Sequence, residues 1–255
     1  MDNKTLVQQQ FGANAAAYAT STVHAKGASL SRLVELTQPR ADWWALDIAT
    51  GAGHTAFAFA PHVARVTASD LTPEMLTVAA NLANEKGWEN VDFKEADAEN
   101  MPFYDATFDL VTCRIAPHHF PDIGQFVREC ARVLKPGGTL AVVDNIVPTE
   151  PEAADFVNAF EKFRDPSHER CLSAKEWADA YQQAGITLTH AEEAKKAMDF
   201  EAWADNMNVS AEGRETLRGM LRDAPTTAQV FFSPEYKEDG NIQFMLSEGI
   251  FVGRK

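Results

Sequence analysis

Between Trp43 and Val147 the chain alternates short apolar runs with longer segments whose apolar residues recur every three or four positions. The runs predict strands over 43–48, 64–69, 91–95, 109–114 and 139–147, and helical spacing fills 54–62, 72–87 and 123–134 between them. Strands and helices alternating at this interval predict an α/β fold with a parallel, doubly wound sheet, right-handed crossovers and ligands at the carboxyl ends of the strands. Boundary chemistry agrees with the periodicity. Thr72 is placed to cap a helix that Pro73 opens, and Lys135-Pro136-Gly137-Gly138 stops another. Upstream, Phe11, Ala15, Tyr18 and Ala19, then Leu30, Leu33, Val34 and Leu36, keep helical spacing until Pro39 ends the segment.

The rhythm changes after Pro148. A helix is predicted over 153–163, a polar segment over 164–170, a helix capped by Ser173 to 184 and a strand over 186–191. Mostly helical pattern covers 199–232, and a closing strand covers 242–252. The expected organisation is a single domain over 1–255. It has an N-terminal helical cap (1–40), a ligand-binding core (41–147) and two excursions (148–172 and 199–235) over the strand ends as a lid.

One stretch carries the candidate chemistry. The predicted first strand breaks at Ala49 into a small-residue loop with Gly51 and Gly53, followed by a helix. Glycines at a strand-to-helix turn admit a ligand that a side chain would exclude, and the first helical amides lack internal partners. The loop fits the dinucleotide pattern G-x-G-x-x-A, which leaves an NAD-dependent oxidoreductase as an alternative. Acidic residues argue against a pyrophosphate. Asp47 precedes the loop, Asp70 ends the second strand in reach of ribose hydroxyls, and Asp97 follows the third beside Ala98. A carboxylate at each strand end attracts a cofactor that is positive and lacks phosphate, as S-adenosylmethionine is.

Charge and cysteine content narrow the partners. A formal net charge of −14, with no run of Lys and Arg, disfavours nucleic acid and anionic membranes. Cys113, Cys130 and Cys171 fit no metal-ligand spacing and suggest a reducing compartment, so no metal is expected. The amino terminus lacks a signal-peptide layout, and no apolar run approaches the roughly 18 residues of a membrane span, so a cytoplasmic location is expected. Oligomeric state is not legible.

Five ordered motifs make the sequence resemble the class I S-adenosylmethionine-dependent methyltransferases. They are Leu46-Asp47-x-Ala49-x-Gly51-x-Gly53, Ser69-Asp70-Leu71-Thr72-Pro73-Glu74-Met75-Leu76, Asp97-Ala98-Glu99-Asn100-Met101-Pro102-Phe103, Phe108-Asp109-Leu110-Val111-Thr112-Cys113-Arg114 and Val133-Leu134-Lys135-Pro136-Gly137-Gly138. Within that class it is most similar to the small-molecule branch that includes the ubiquinone/menaquinone C-methyltransferases. Ala49 departs from the family, which often has its first glycine there. The resemblance implies a seven-stranded sheet with an antiparallel last strand. It implies that the Ala49–Gly53 backbone holds the methionine moiety, that Asp70 takes the ribose hydroxyls and that Leu71 and Met75 pack on adenine. Asp97 and Ala98 would meet the adenine edge, Arg114 the methionine end through its backbone, and Tyr18 would close over the cofactor.

Other candidates lie on the acceptor side. His118 and His119 follow the fourth strand and are candidates for a general base or for orienting the acceptor. Ser21 and His24 follow Tyr18 at helical spacing, and Arg164 and His168 belong to the polar segment of the first excursion; all four are candidate substrate contacts. Methyl transfer from a sulfonium needs alignment, exclusion of water and, for a protonated acceptor, a base. A nucleophile triad is not expected, and the acceptor atom (C, O, N or S) stays open. A non-catalytic protein that binds S-adenosylmethionine is the remaining alternative.

Overall fold

The structure, a computed structural model, describes residues 2–19 and 27–255. Among the described residues, eight strands form one sheet: β1 (Trp44–Ile48), β2 (Arg65–Asp70), β3 (Val91–Glu95), β4 (Phe108–Arg114), β5 (Leu134–Ile146), β6 (Thr187–Asp199), β7 (Glu235–Tyr236) and β8 (Ile242–Arg254). The order is β3-β2-β1-β4-β5-β8-β6, with the short β7 paired to the start of β8. β1 pairs in parallel with both β2 and β4, while β8 runs antiparallel between β5 and β6. The expected mostly parallel sheet with an antiparallel last strand is therefore present. Chain direction across the sheet reverses between β1 and β4, and doubly wound sheets open their ligand crevice at that point.

The helices are α1 (Asn3–Ala19), α2 (Ala28–Thr37), α3 (His54–Phe59), α4 (Pro73–Lys86), α5 (Ile123–Val133), α6 (Pro151–Arg164), α7 (Ala174–Gln183), α8 (Phe200–Asp205), α9 (Ala211–Arg222) and α10 (Thr226–Phe232). Alternation along the strands supplies two cores. Ala45, Val66, Leu110 and Val143 face Leu33, Ala56 and Phe59 on one side, and Leu46, Val111, Leu140 and Phe251 face Phe126, Cys130 and Trp177 on the other. A third cluster joins the two excursions: Phe160 stacks on Trp203 at 4.9 Å and both pack with Phe200, Leu217, Phe232 and Phe244. The excursions thus share a dry core above the strand ends.

Two local readings change and a third holds. β6 runs on to Asp199 rather than stopping near 191, because its far half is paired residue by residue with β8 although its own burial is slight. Thr72 occupies the cap position of α4 without a capping bond from its hydroxyl; its amide instead donates to Asp70 Oδ1 at 2.9 Å. Ser173 does cap α7, in a reciprocal box with Glu176.

Candidate active site

The loop after β1 is held from behind. Asp47 is buried, and its Oδ2 and Oδ1 accept the hydroxyls of Thr50 (2.6 Å) and Thr112 (2.8 Å). Burial raises its carboxyl to about 6 against those two bonds. Asp70 reaches across from β2, and its Oδ2 accepts the Gly51 amide at 2.8 Å. Burial raises Asp70 as well, opposed by the amides of Thr72 and Gly51. The Gly53 amide donates to the Thr50 carbonyl at 2.9 Å. With both glycine amides engaged inside the protein and two carboxylates beside them, the loop is a poor pyrophosphate cradle and a good seat for a cation.

The two glycines have different reasons. Gly51, at φ +53°, faces the cavity with nothing within 4 Å of the place its Cβ would take. Gly53, at φ +87°, lies beneath it, and a Cβ there would stand 2.5 Å from the Phe57 ring. Ala49 at φ +50° and Ile115 at φ +53° carry left-handed backbone just past β1 and β4. Such a conformation costs an L residue about 1–2 kcal/mol, and strain of this kind gathers at functional sites.

A cavity of about 540 Å³ opens above this loop, within the usual range for small-ligand sites. Its near wall is Ala49, Thr50, Gly51, Asp70, Met75 and Arg114. Its far wall is His118, His119, Asn145, Arg164, Trp203 and Met207. An adjoining slot is lined by Ile48, Ala49, Leu71, Ala98, Phe120 and, at its polar edge, Asp97. A small, mostly apolar slot with a carboxylate at its rim suits an adenine edge, and Asp70 lines both spaces, where a ribose would join them. The residues present fit S-adenosylmethionine.

The structure gathers most of the expected residues and sets some aside. Ala49, Gly51, Asp70, Leu71, Met75, Asp97, Ala98, Arg114, His118, His119 and Arg164 line one space or the other. Asp47 and Gly53 stand behind the wall, where they shape the loop. His168 also stands behind it: it is buried, its ring lies 5.5 Å from that of His118, and its Nε2 pairs with Asn158 Oδ1 at 3.0 Å. Tyr18 belongs to α1. Ser21 and His24 lie outside the described residues.

The two adjacent histidines separate in role. His118 Nδ1 shares a 2.6 Å hydrogen bond with Asp144 Oδ1. Burial disfavours its charge, but the carboxylate outweighs that and holds the imidazole above the ordinary histidine value. His119 faces both spaces, and its Nδ1 lies 3.0 Å from the Ser167 carbonyl. Burial, with the neighbouring His118 charge, pushes His119 down.

Several participants were invisible to motif reading. Lys4 bridges Asp97 (2.6 Å) and Glu99 (2.5 Å) at the slot, Gln8 donates to the Leu71 carbonyl, and Gln10 donates to Asp165. All three sit on α1, so that helix straps the slot to the far wall by polar contacts. Asp144 and Asn145 had a usable signal, as two polar residues at the carboxyl end of a buried strand. No group of His, Cys, Asp or Glu among the described residues is arranged to hold a metal ion, and no described helix is long and apolar enough to cross a membrane.

The geometry has relatives. A methyltransferase-domain family model matches residues 46–142, from β1 into β5. The Bacillus subtilis protein named uncharacterized methyltransferase YcgJ is 36% identical over 246 residues, covering 96% of this chain and 97% of that protein. The Pseudomonas putida ubiquinone/menaquinone biosynthesis C-methyltransferase UbiE is 31% identical over 178 residues, 68% of this chain and 70% of its own length. The solved structure of the B. subtilis YcgJ protein matches with a TM-score of 0.86 at 36% identity, over 89% of this chain and 97% of that one.

Proposed function

The chain belongs to the class I S-adenosylmethionine-dependent methyltransferases and transfers a methyl group from that cofactor, and we propose that its acceptor is a small molecule seated between the glycine loop and the lid. The observation that carries this reading is the continuity of one cavity from Gly51 to His118, Asn145 and Trp203. A cofactor seated at the loop and an acceptor under the lid would share it, out of bulk water. The UbiE-named relative is a C-methyltransferase of quinone biosynthesis, which favours a small acceptor. The acidic balance of the chain disfavours nucleic acid, and a cytoplasmic location is part of the proposal.

Within this reading, the backbone of Ala49–Gly51 and of Arg114 holds the methionine end, with Asp47 and Gly53 supporting the loop. Asp70 accepts the ribose hydroxyls, Leu71, Met75 and Ala98 enclose the adenine, and Asp97 meets its edge. Tyr18 closes over the cofactor from α1. His118 and His119 face the acceptor, and Arg164 contacts it from the lid, with His168 supporting His118. Ser21 and His24 remain candidate acceptor contacts. The cofactor supplies an activated methyl group; the protein aligns the acceptor with it and excludes water.

Calorimetric titration with S-adenosylmethionine, S-adenosylhomocysteine and NAD, repeated on Asp70→Ala, tests the assignment. Micromolar binding of the first two, none of NAD, and loss in the variant are expected. Binding of NAD alone would overturn it. Label from methyl-labelled cofactor appearing in protein or nucleic acid, with none in any small acceptor, would overturn the acceptor class.

A further inference from the structure

Asp144 lies near the carboxyl end of β5 with no exposed surface, and the only hydrogen bond its side chain makes among the described residues is the 2.6 Å one to His118 Nδ1. The other nitrogen of that ring, Nε2, has no described partner, and His118 lines the cavity with a side chain one-tenth exposed. The main chain of His118 is clamped as well: its carbonyl accepts the amides of Glu169 (2.7 Å) and Arg170 (3.0 Å) from the lid. Its ring packs between those of His119 (4.2 Å) and His168 (5.5 Å). The imidazole is thus held through Nδ1 and by two neighbouring rings, its carbonyl is bound by the lid, and the residue lines the cavity. A buried ion pair is weak evidence for stability by itself, so a pair placed in this wall asks for a use.

We propose that Asp144 is a positioning residue that turns Nδ1–H of His118 toward β5 and Nε2 toward the acceptor, and that His118 Nε2 removes the proton from the acceptor's attacking atom. The inference rests on the methyl-transfer reading of the cavity and narrows the acceptor to a protic one. The proton of the acceptor's X–H bond passes to Nε2, and the electron pair left on X forms the bond to the methyl carbon. The carbon–sulfur bond breaks with its pair staying on sulfur, which becomes a neutral thioether. The imidazolium then returns its proton to solvent.

The neighbours divide the labour. The charged or titratable groups around the ring are Asp144 from β5, Glu161 and Arg164 from α6, Asp165 and His168 from the segment after it, and His119 beside it. Burial pushes His119 and His168 down, so both stay neutral near pH 7. Each also spends a ring nitrogen on a fixed partner, Ser167 or Asn158. Of these three histidines, His118 is the one whose ring is hydrogen-bonded to a carboxylate, and it lines the cavity.

The test has two arms, both on the full chain saturated with S-adenosylhomocysteine or S-adenosylmethionine. Imidazole signals followed by NMR, with His118 assigned through His118→Gln, should titrate above the ordinary histidine value and move to lower pH in Asp144→Asn. A His118 titration that the variant leaves unchanged overturns the proposal, whether or not an acceptor is in hand. In the second arm, labelled methyl transfer is offered to phenols and thiols and to the aprotic acceptors iodide, dimethyl sulfide and trimethylamine. Label should enter protic acceptors only. Asp144→Asn should lower kcat by about 10²–10⁴-fold, the usual contribution of a positioned base, with the KM for cofactor within about twofold. The rising limb of its pH profile should shift to lower pH, and Asp144→Glu should recover part of the rate and keep the wild-type limb. Label in the aprotic set alone, or an unaltered kcat in Asp144→Asn, overturns the proposal. If Asp144→Asn does not fold, His118→Gln and Asp144→Glu carry the comparison: a wild-type rate in His118→Gln overturns it. Failure to bind S-adenosylhomocysteine would instead break the cofactor reading, so the two failures are distinguishable.

Discussion

Substituting alanine for Gly51 and for Gly53 separates a glycine that serves the ligand from one that serves the fold. Both residues hold positive φ, +53° and +87°, so an alanine at either place costs about 1–2 kcal/mol of backbone strain. Only at Gly53 does the new Cβ meet protein: the Phe57 ring is 2.5 Å away, in a ring that is itself 6% exposed. Overpacking of that kind adds about 1–3 kcal/mol. The Gly53→Ala protein should therefore be less stable than wild type by about 2–5 kcal/mol, and Gly51→Ala by about 1–2 kcal/mol. Urea unfolding monitored by tryptophan fluorescence measures both. For cofactor the order reverses, because the Gly51 Cβ would project into open cavity. Calorimetry with S-adenosylhomocysteine, at a temperature where both variants are folded, should show about tenfold or greater weakening for Gly51→Ala, roughly 1.4 kcal/mol. Gly53→Ala should stay within about threefold of wild type. Strong loss of affinity in Gly53→Ala with none in Gly51→Ala would refute the division of roles.

Ala49 sits in left-handed backbone at φ +50°, so Ala49→Gly should lose no stability, where an ordinary alanine-to-glycine change costs about 0.5–1 kcal/mol; urea midpoints with unchanged slope check this. Lys4→Ala removes a cation from between two carboxylates that are about one-third and one-tenth exposed; partly exposed pairs contribute at most about 1 kcal/mol each, so Tm should move by only a few degrees. The helix α1 should nevertheless exchange its amide hydrogens faster, and an unchanged exchange rate would deny Lys4 a strapping role. His168 has a folded pKa held below its unfolded value near 6.5 by burial, so its contribution is complete above pH 6.5 and is lost as pH falls. The stability gap between wild type and His168→Gln should shrink by about 2 kcal/mol from pH 7.5 to pH 5, and parallel pH profiles would contradict a buried neutral ring.

The residues around the glycine loop could be brought together from the sequence because their signals are local. A glycine loop after an apolar run, Asp70 just before a Thr-Pro helix start, and Asp97-Ala98 after the third strand each announce themselves within a few residues, and the doubly wound topology brings their strand ends together. The far wall and the strap from α1 depend on pairs that no window spans. His118 and Asp144 are 26 positions apart, Lys4 and Asp97 are 93, and Gln10 and Asp165 are 155. The unread half of β6 has a related cause. Its Glu192–Lys196 stretch shows solvent a charged surface, tied by Arg32–Glu192 and Lys196–Glu248 pairs, so its strand character comes from β8 rather than from its own alternation.

Where charge settles in the cavity then follows from what each carboxylate touches. Asp47 and Asp70 take hydroxyls and amides, and Asp47 also feels the Arg114 guanidinium. Asp70 is then the carboxylate beside the loop with no cation among its described partners, a suitable neighbour for a sulfonium in the proposed reaction. Asp144 faces an imidazole, so the charge at the far wall is a pair whose proton can be exchanged. In the proposed reaction, transfer removes the positive charge from the loop side, and loss of the acceptor's proton puts one on His118. On that proposal the near wall suits the reactant and the far wall the state that follows proton removal. Complementarity that strengthens as the reaction proceeds is what accelerates it, whereas equal binding of every state would not.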